Sequence, residues 1–483
     1  VKNDPKFKDL IIQGGQLHTG YVTMNVKMEP FDKAEVRQAV NMAINKDRIL
    51  RIINGRAVTA NQPLPPSMPG YAKDHEGYAY DPEAAKALLA EAGLADGFET
   101  ELYVMNTDGS DIKTLTPDLD RSVSGFAWDS DSEGIYFTYD DNGIGQLART
   151  NLSGKHTHLT DRVGGLSYSR PYGGGDFSVA NNDNIAFTIS NPMRPAELAL
   201  WKGGNVQQMT RLNEDALGHK QLAKVEEIRY KSSVDGKDLQ GWIAYPPNFD
   251  KDKDYPLMLE IHGGPHTNYG PRFAAEIQLF AAAGYVVLYT NPRGSTSYGA
   301  DFANEIHHNY PSDDYNDLMD GVDAVLEKGF IDEDELFVTG GSGGGVLTAW
   351  IVGHTDRFKA AVVAKPVINW YSFVLTADMY NFFYQYWFPG LPWNNMEHYM
   401  ERSPISYVGN VTTPTMLLTG ENDYRTPMSE TEQYYQALKL KGVDTAMVRI
   451  QDSGHGIYAR PSNLMNKVAY ILHWFEKYKD KGD

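Results

Sequence analysis

The chain has 483 residues, room for about three domains at roughly 150 residues each. A hydrophobic share of 41%, a charged share of 22% and 8 Trp exclude the disordered and collagen-like classes. With 44 Lys+Arg against 63 Asp+Glu the net charge is −19, a field that repels nucleic acid and anionic membranes, and zero Cys excludes disulfides, thiolate metal sites and a cysteine nucleophile.

Residues 1–102 read as a small mixed α/β segment. PFDKAEVRQAVNMAINKDRILRII has apolar residues at helical spacing with Asp32 placed to cap it, and DPEAAKALLAEAG is a second helix opened by Asp81-Pro82 and stopped by Gly93. The Pro-rich NQPLPPSMPGY lies between them. No run approaches the ~18 apolar residues of a membrane span, and the opening VKNDPKFKDL has no apolar signal core. The expectation is a soluble protein, with cytoplasm and periplasm both open.

Residues 103–220 change to short strands with turn punctuation. LYVMNTDGS, with an Asp108-Gly109 turn, is followed by VSGFAWDSDSEGIYFTYDDNG, QLARTNLSGKHTHLT and NIAFTISNPMRPAELALW. FAWDSDSEGIYFTY resembles a β-propeller blade, in which a strand ending in Trp-Asp turns into the next. At about 40 to 45 residues per blade the segment holds fewer than three, whereas a closed propeller needs about 4 to 8. The expected object is a partial β-propeller whose open edges must be paired, in the N-terminal segment or in a second copy of the chain.

Residues 221–483 alternate strands and helices as a doubly wound α/β domain. A hairpin turning at Asp235-Gly236 leads in, and PLMLEIH, YVVLYT, ELFVTG, AAVVA, PTMLLTG and AMVRI follow, separated by helices. Continuous Val/Ile/Leu strands of this kind indicate a parallel sheet covered on both faces, with chemistry expected at the strand C-termini.

The strand ELFVT ends in Gly340-Gly341-Ser342-Gly343-Gly344 and a helix follows. Glycines flank a nucleophilic serine in this way because a Cβ beside the strained turn would strike the neighbouring strand or helix. Such a serine needs a base, and the base an orienting carboxylate. Asp423 stands at the end of PTMLLTGEND, with Glu421 as a second possible acid, and His455 lies 32 residues after Asp423 in the loop QDSGHG. Ser, Asp, His in that order, at three strand ends, is the arrangement of an α/β-hydrolase. Gly343 N–H follows the nucleophile, and Gly264 N–H in HGGPH is assigned as the second donor to a tetrahedral oxyanion. Neutral His455 as base predicts activity falling below about pH 6.5.

HGGPH, YTNPRGSTSYG, DYNDLMDGVDAVLEKGFID, VTGGSGGG, SPISYVGNVTTPTMLLTGENDYRTP and DSGHG together resemble the catalytic domain of prolyl oligopeptidase family serine peptidases, acylaminoacyl-peptidase-like members most of all. The resemblance runs from about residue 103 to the end and implies Ser342 as nucleophile, His455 as general base, Asp423 as its orienter and a propeller before the hydrolase. YVTMNV, VRQAVNMAINKDRI, LPPSMPGY and YDPEAAKALLAEAGLADGF resemble part of the C-terminal lobe of ABC-transporter oligopeptide- or dipeptide-binding proteins. The chain looks like a fusion of these two pieces.

The aromatic run DMYNFFYQYWF is read either as lining an apolar acyl or P1 pocket, through Phe382, Phe383, Tyr386 and Trp387, or as packing its own excursion. Arg293 is read as a binder of a substrate carboxylate or carbonyl, or as the anchor of its own loop. Asp313, Asp314, Asp317 and Asp320 favour a helix start rather than a metal site. No metal or cofactor is expected. The functional expectation is a serine hydrolase cleaving acyl-aminoacyl or short peptide bonds; the alternatives are a carboxylesterase for short-chain esters and a non-enzymatic peptide-binding protein.

Overall fold

The computed structural model describes residues 33–44, 46, 58–62, 77–81 and 114–480. The chain divides into two compact units, Val1–Leu115 and Thr116–Asp483. In the first, helix α1 (Ala34–Ala43) buries Val36 and Ala39. Asp32, the helix expected after Pro82 and the strand expected at LYVMNTDGS lie outside the described residues. The second unit holds both the strand-rich segment and the hydrolase segment, which the sequence had divided at 220/221.

Two antiparallel four-stranded meanders come first: β1 (Val123–Trp128) to β4 (His156–Val163), then β5 (Phe177–Val179) to β8 (Asn205–Gln208). They meet through one pairing, Val163 with Ile189, and share a small core of Tyr136, Leu147, Val163, Ile185, Phe187 and Ala199. Each meander has the make-up of a propeller blade, so two blades lie within the described part of a segment expected to hold fewer than three. At the Trp-Asp turn the aspartate is the structural residue. Asp129 is buried, accepts the Glu133 N–H at 2.9 Å and the Arg149 Nε–H at 2.9 Å, while Trp128 is half exposed.

The second sheet runs β16-β15-β14-β13-β11-β12-β10-β9. The lead-in hairpin, β9 (Lys224–Lys231) and β10 (Asp238–Tyr245), is antiparallel, and Gly236 takes φ +74° in its turn. β11 (Tyr255–Ile261), β12 (Val286–Asn291), β13 (Ile331–Gly341), β14 (Ala360–Ala364), β15 (Thr415–Gly420) and β16 (Thr445–Ile450) are parallel. Successive side chains alternate between two cores. Leu257, Leu259, Val338, Val363 and Leu417 pack on one face with Val322, Ile351 and Leu438, from α3 (Asp314–Leu326), α4 (Gly343–His354) and α7 (Met428–Lys441). Met258, Phe337, Val362 and Met416 pack on the other with Ile277, Phe280, Ile471 and Phe475, from α2 (Ala275–Ala282) and α8 (Pro461–Tyr478). Both faces being dry is why these strands are apolar throughout rather than alternating. Between β14 and β15 the chain makes an excursion carrying α5 (Trp370–Thr376) and α6 (Tyr380–Tyr386).

Register aligns the strand ends: Ile261 lies beside Gly340, Gly341 beside Ala364, Ala364 beside Leu418 and Gly420 beside Ile450. The residues that leave those ends therefore gather along one rim. Among the described residues no helix is long and apolar enough to cross a membrane.

Candidate active site

Ser342 occupies the turn between β13 and α4 at φ +62°, ψ −121°, a left-handed conformation that costs of order 1–3 kcal/mol for a residue with a Cβ. The neighbouring glycines make it possible. A Cβ on Gly340 would stand 2.4 Å from the Gly344 carbonyl oxygen, and one on Gly344 would stand 2.1 Å from that of Ile261. Gly343 is the first residue of α4, where N–H groups have no intrahelical acceptor, and a Cβ on it would come within 3.0 Å of Gly264 N. The two assigned oxyanion donors are thus near neighbours.

His455 leaves the end of β16 and Asp423 that of β15. His455 Nδ1–H donates to Asp423 Oδ2 at 2.8 Å and Oδ1 at 3.0 Å, which leaves Nε2 as the ring's acceptor. Asp423 is fixed in turn by the N–H groups of Arg425 at 3.0 Å and Thr426 at 2.9 Å and by the Thr426 hydroxyl at 3.1 Å. Glu421 is exposed on the surface, so Asp423 is the carboxylate that meets the imidazole. Burial first, then the charge of Lys365, holds the His455 pKa below its ordinary 6.5 against the opposing pull of Asp423.

Ser342, Gly343, Gly264 and His455 open together on a cavity of about 430 Å³. Its apolar wall comes from the excursion: Phe382, Phe383 and Trp387 line it, with Trp370, Phe373 and Met379. The excursion is firmly tied. Asn369 caps α5 by accepting the N–H groups of Tyr371 and Ser372, and buried Glu430 on α7 accepts those of Ile368 and Asn369. Phe373 and Phe383 pack with ring centroids 4.6 Å apart.

Two expected pocket residues lie elsewhere. Tyr386 is half exposed and does not line the cavity: one helical turn after Phe382, on the more exposed side of α6, it packs against that ring with centroids 5.0 Å apart, while Phe383 and Trp387 share the inward side. Arg293 is not at the cavity. It is buried in a bidentate pair with Asp317, Nε to Oδ2 and Nη2 to Oδ1 both at 2.9 Å, and also bonds Ser232, fastening its own loop to α3 and the lead-in hairpin. The acidic patch at the start of α3 therefore does more than favour the helix: Asp317 holds Arg293, Asp320 accepts the Ser233 N–H at 2.7 Å, and burial pushes Asp314 up to about 7.

Sequence reading missed four residues around the cavity. Arg425, two positions after Asp423, lines it and ties the acid loop to the excursion by donating from Nε to Asp378 at 2.8 Å. Lys365, the residue after β14, lines it and donates to the His455 carbonyl at 2.7 Å. His262 in HGGPH is buried, its pKa pushed down to about 4, and donates from Nδ1 to the Gly263 carbonyl at 2.7 Å. Tyr172, from the segment between the meanders, accepts the Gly263 N–H at 2.8 Å. Only the position of Arg425 beside Asp423 offered a local signal; the other contacts join distant parts of the chain.

Residues 271–482 match the prolyl oligopeptidase family. They form a prolyl oligopeptidase family domain. Residues 1–118 match the middle region of bacterial extracellular solute-binding proteins of family 5, so the chain joins pieces of two families. The chain is 33% identical over 405 residues to the uncharacterized peptidase YuxL of Bacillus subtilis, an alignment spanning 82% of this chain and 60% of that protein. It is 28% identical over 406 residues to dipeptidyl-peptidase 5 of Porphyromonas gingivalis, spanning 80% and 57%. The structure of an acylaminoacyl peptidase from Pyrococcus horikoshii superimposes with a TM-score of 0.70 at 27% identity, over 78% of this chain and 59% of that one. The acylaminoacyl peptidase structure carries the propeller-plus-hydrolase arrangement read in the sequence, and this chain spans about three fifths of the length of the proteins it matches.

Proposed function

We propose that the chain is a serine hydrolase that cleaves acyl-aminoacyl or short peptide bonds. The observation that carries this reading is His455, anchored through Nδ1 to Asp423 while its ring opens on the cavity that holds the strained Ser342. Ser342 Oγ attacks the scissile carbonyl and gives its proton to His455 Nε2. The developing oxyanion sits against the N–H groups of Gly343 and Gly264. His455 then protonates the departing amine, and water, activated by the same imidazole, releases the acyl group from Ser342. Asp423 holds the ring and stabilises the imidazolium without itself taking the proton. Phe382, Phe383 and Trp387 receive the apolar side chain or acyl group, and Arg425 is placed to donate to a substrate carbonyl.

The test is fluorophosphonate labelling of the wild-type protein and of Ser342→Ala, followed by matched acyl-aminoacyl anilides and short-chain p-nitrophenyl esters. Labelling and turnover are expected in the wild type alone; a Ser342→Ala protein that keeps esterase activity overturns the reading.

One observation favours the carboxylesterase alternative. All but one of the cavity residues belong to the hydrolase segment, Tyr172 being the exception, so a small ester needs little from the meanders. Ester turnover without anilide turnover would decide for it. For assembly we propose pairing of two copies along β1, which bonds only β2 among the described residues and exposes Phe126 and Trp128. A monodisperse monomer in light scattering would exclude that pairing.

A further inference from the structure

The segment between the two meanders runs along the hydrolase domain as an added strand would. Ala275 N–H donates to Tyr168 O at 2.9 Å, Glu276 N–H to Ser169 O at 3.0 Å, Gly270 N–H to Pro171 O at 2.9 Å and Gly173 N–H to Asn268 O at 3.1 Å. Tyr172 and Tyr269 form an antiparallel bridge, with their rings 4.9 Å apart. Two side chains of this segment enter the hydrolase interior. Arg170, almost fully buried, pairs through Nη2 with Glu260 at 2.8 Å and through Nε with Glu276 at 3.4 Å. The same Glu276 takes Lys467 of α8 at 2.5 Å, and Tyr269 Oη–H donates to Glu260 at 2.7 Å.

Glu260 stands just before the turn that carries Gly263 and Gly264. Arg170 thus fixes the strand end, and the Tyr172 hydroxyl fixes the turn itself by accepting the Gly263 N–H at 2.8 Å. Gly263 is closely enclosed: a Cβ there would lie 2.9 Å from the Gly341 carbonyl oxygen, 3.2 Å from Ser342 Cβ and 3.2 Å from Tyr172 Oη. The serine elbow and the phenol both close on the turn at Gly263. The Gly263 carbonyl is taken by the Thr267 hydroxyl at 2.7 Å and by His262 Nδ1–H.

We propose that Tyr172 is a positioning residue for the reaction: by binding the Gly263 N–H it sets the orientation of the next amide, that of Gly264, toward the oxyanion. The inference rests on the hydrolase reading only through the role given to Gly264. Without the phenol oxygen the Gly263 N–H has lost its acceptor in a buried turn, and the peptide is free to rotate away from the geometry the transition state needs. The meander segment thereby contributes to the rate without contacting the reacting atoms.

The test is Tyr172→Phe, which keeps the ring against Tyr269 and removes only the oxygen. Three measurements are made on the full chain: p-nitrophenyl ester kinetics, thermal unfolding, and hydrogen exchange of the peptide containing Gly263. The expected result is kcat lowered by about tenfold or more at unchanged KM, with Tm lowered by no more than a few degrees and faster exchange at Gly263. A kcat within twofold of wild type overturns the proposal, as does a Gly263 amide that already exchanges in the wild type like an open loop. Failure of the hydrolase reading looks different. The wild-type protein then neither labels with fluorophosphonate nor turns over ester, while faster exchange in the variant still supports, and unchanged exchange still overturns, the hold of Tyr172 on the turn.

Discussion

Lys365 Nζ donates to the backbone carbonyl of His455 at 2.7 Å, so a lysine side chain braces the loop whose imidazole is to accept a proton. Burial, with Lys467 and Arg170 nearby, pushes Lys365 down to about 7, and Asp423 and Glu276 pull the other way. As pH falls through that value the lysine becomes charged and opposes a second positive charge on His455. The acid limb of kcat/KM is therefore expected below 6.5, lower than an unperturbed histidine would give. Lys365→Met removes the repulsion, so the imidazolium forms more easily and the acid midpoint moves to higher pH. A pH–rate profile of the variant that coincides with wild type, or moves to lower pH, contradicts this.

The same lysine makes a stability prediction. Its folded-state pKa lies below its unfolded value of 10.5, so the cost of burying the ammonium is present in full below about pH 7 and disappears as pH rises toward 10.5. Lys365→Met should raise the Tm most at pH 6 and least at pH 10. Equal effects at the two pH values would show that the charge is not what burial penalises.

Asp423→Asn keeps the shape of the acid and removes its charge. Because Nδ1 of His455 then faces an amide that can turn its NH₂ toward it, the ring loses its fixed tautomer and kcat should drop by about 10⁴-fold, as for comparable triads. Ester kinetics on the purified variant, with folding checked by circular dichroism, measure it. A loss smaller than about tenfold would point to another orienting group.

Phe382 lines the cavity and Tyr386 does not, although both lie on α6. Phe382→Ala is expected to raise KM for bulky acyl esters several-fold, about 1 kcal/mol of lost apolar contact, while acetate esters are little changed. Tyr386→Ala should leave both unchanged. A chain-length series of p-nitrophenyl esters distinguishes the two variants.

Arg293→Met strands Asp317, which is fully buried, without its partner. Breaking such a pair costs about 3–5 kcal/mol, so the urea midpoint should fall sharply while kcat per folded molecule stays at the wild-type value. A selective loss of kcat/KM for carboxylate-bearing substrates at unchanged stability would restore the substrate-binding role for Arg293.

The elements of the hydrolase sheet were legible because burial on both faces writes itself into the strands as unbroken apolar runs, and the turn at Ser342 because only glycine tolerates the approaches at positions 340 and 344. What escaped was set by distance along the chain. Tyr172 and Gly263 are 91 positions apart, and Lys365 and His455 are 90. No local spacing links such pairs. Arg293 was ambiguous for a related reason: an arginine in a loop after a strand has the same appearance whether it faces solvent, a substrate or a buried aspartate, and only the fold brought Asp317 to it. In the aromatic run, composition identified the wall of the cavity, but the helical rotation that turns Tyr386 outward depends on where α6 begins.

The ion pairs of Arg170 bear on how such proteins can be recombined. A gene exchange that transplanted the hydrolase sheet but left behind residues 168–173 would carry Glu260 and Glu276 into their new host with Lys467 as the one cation in direct contact with either among the described residues, one paired positive charge for two sealed negative ones. A crossover placed upstream of Tyr168 keeps the set intact. The joint at which this architecture can be cut and spliced therefore lies inside the blade region, on the far side of the residues that look, by sequence position, as though they belong to the neighbouring domain.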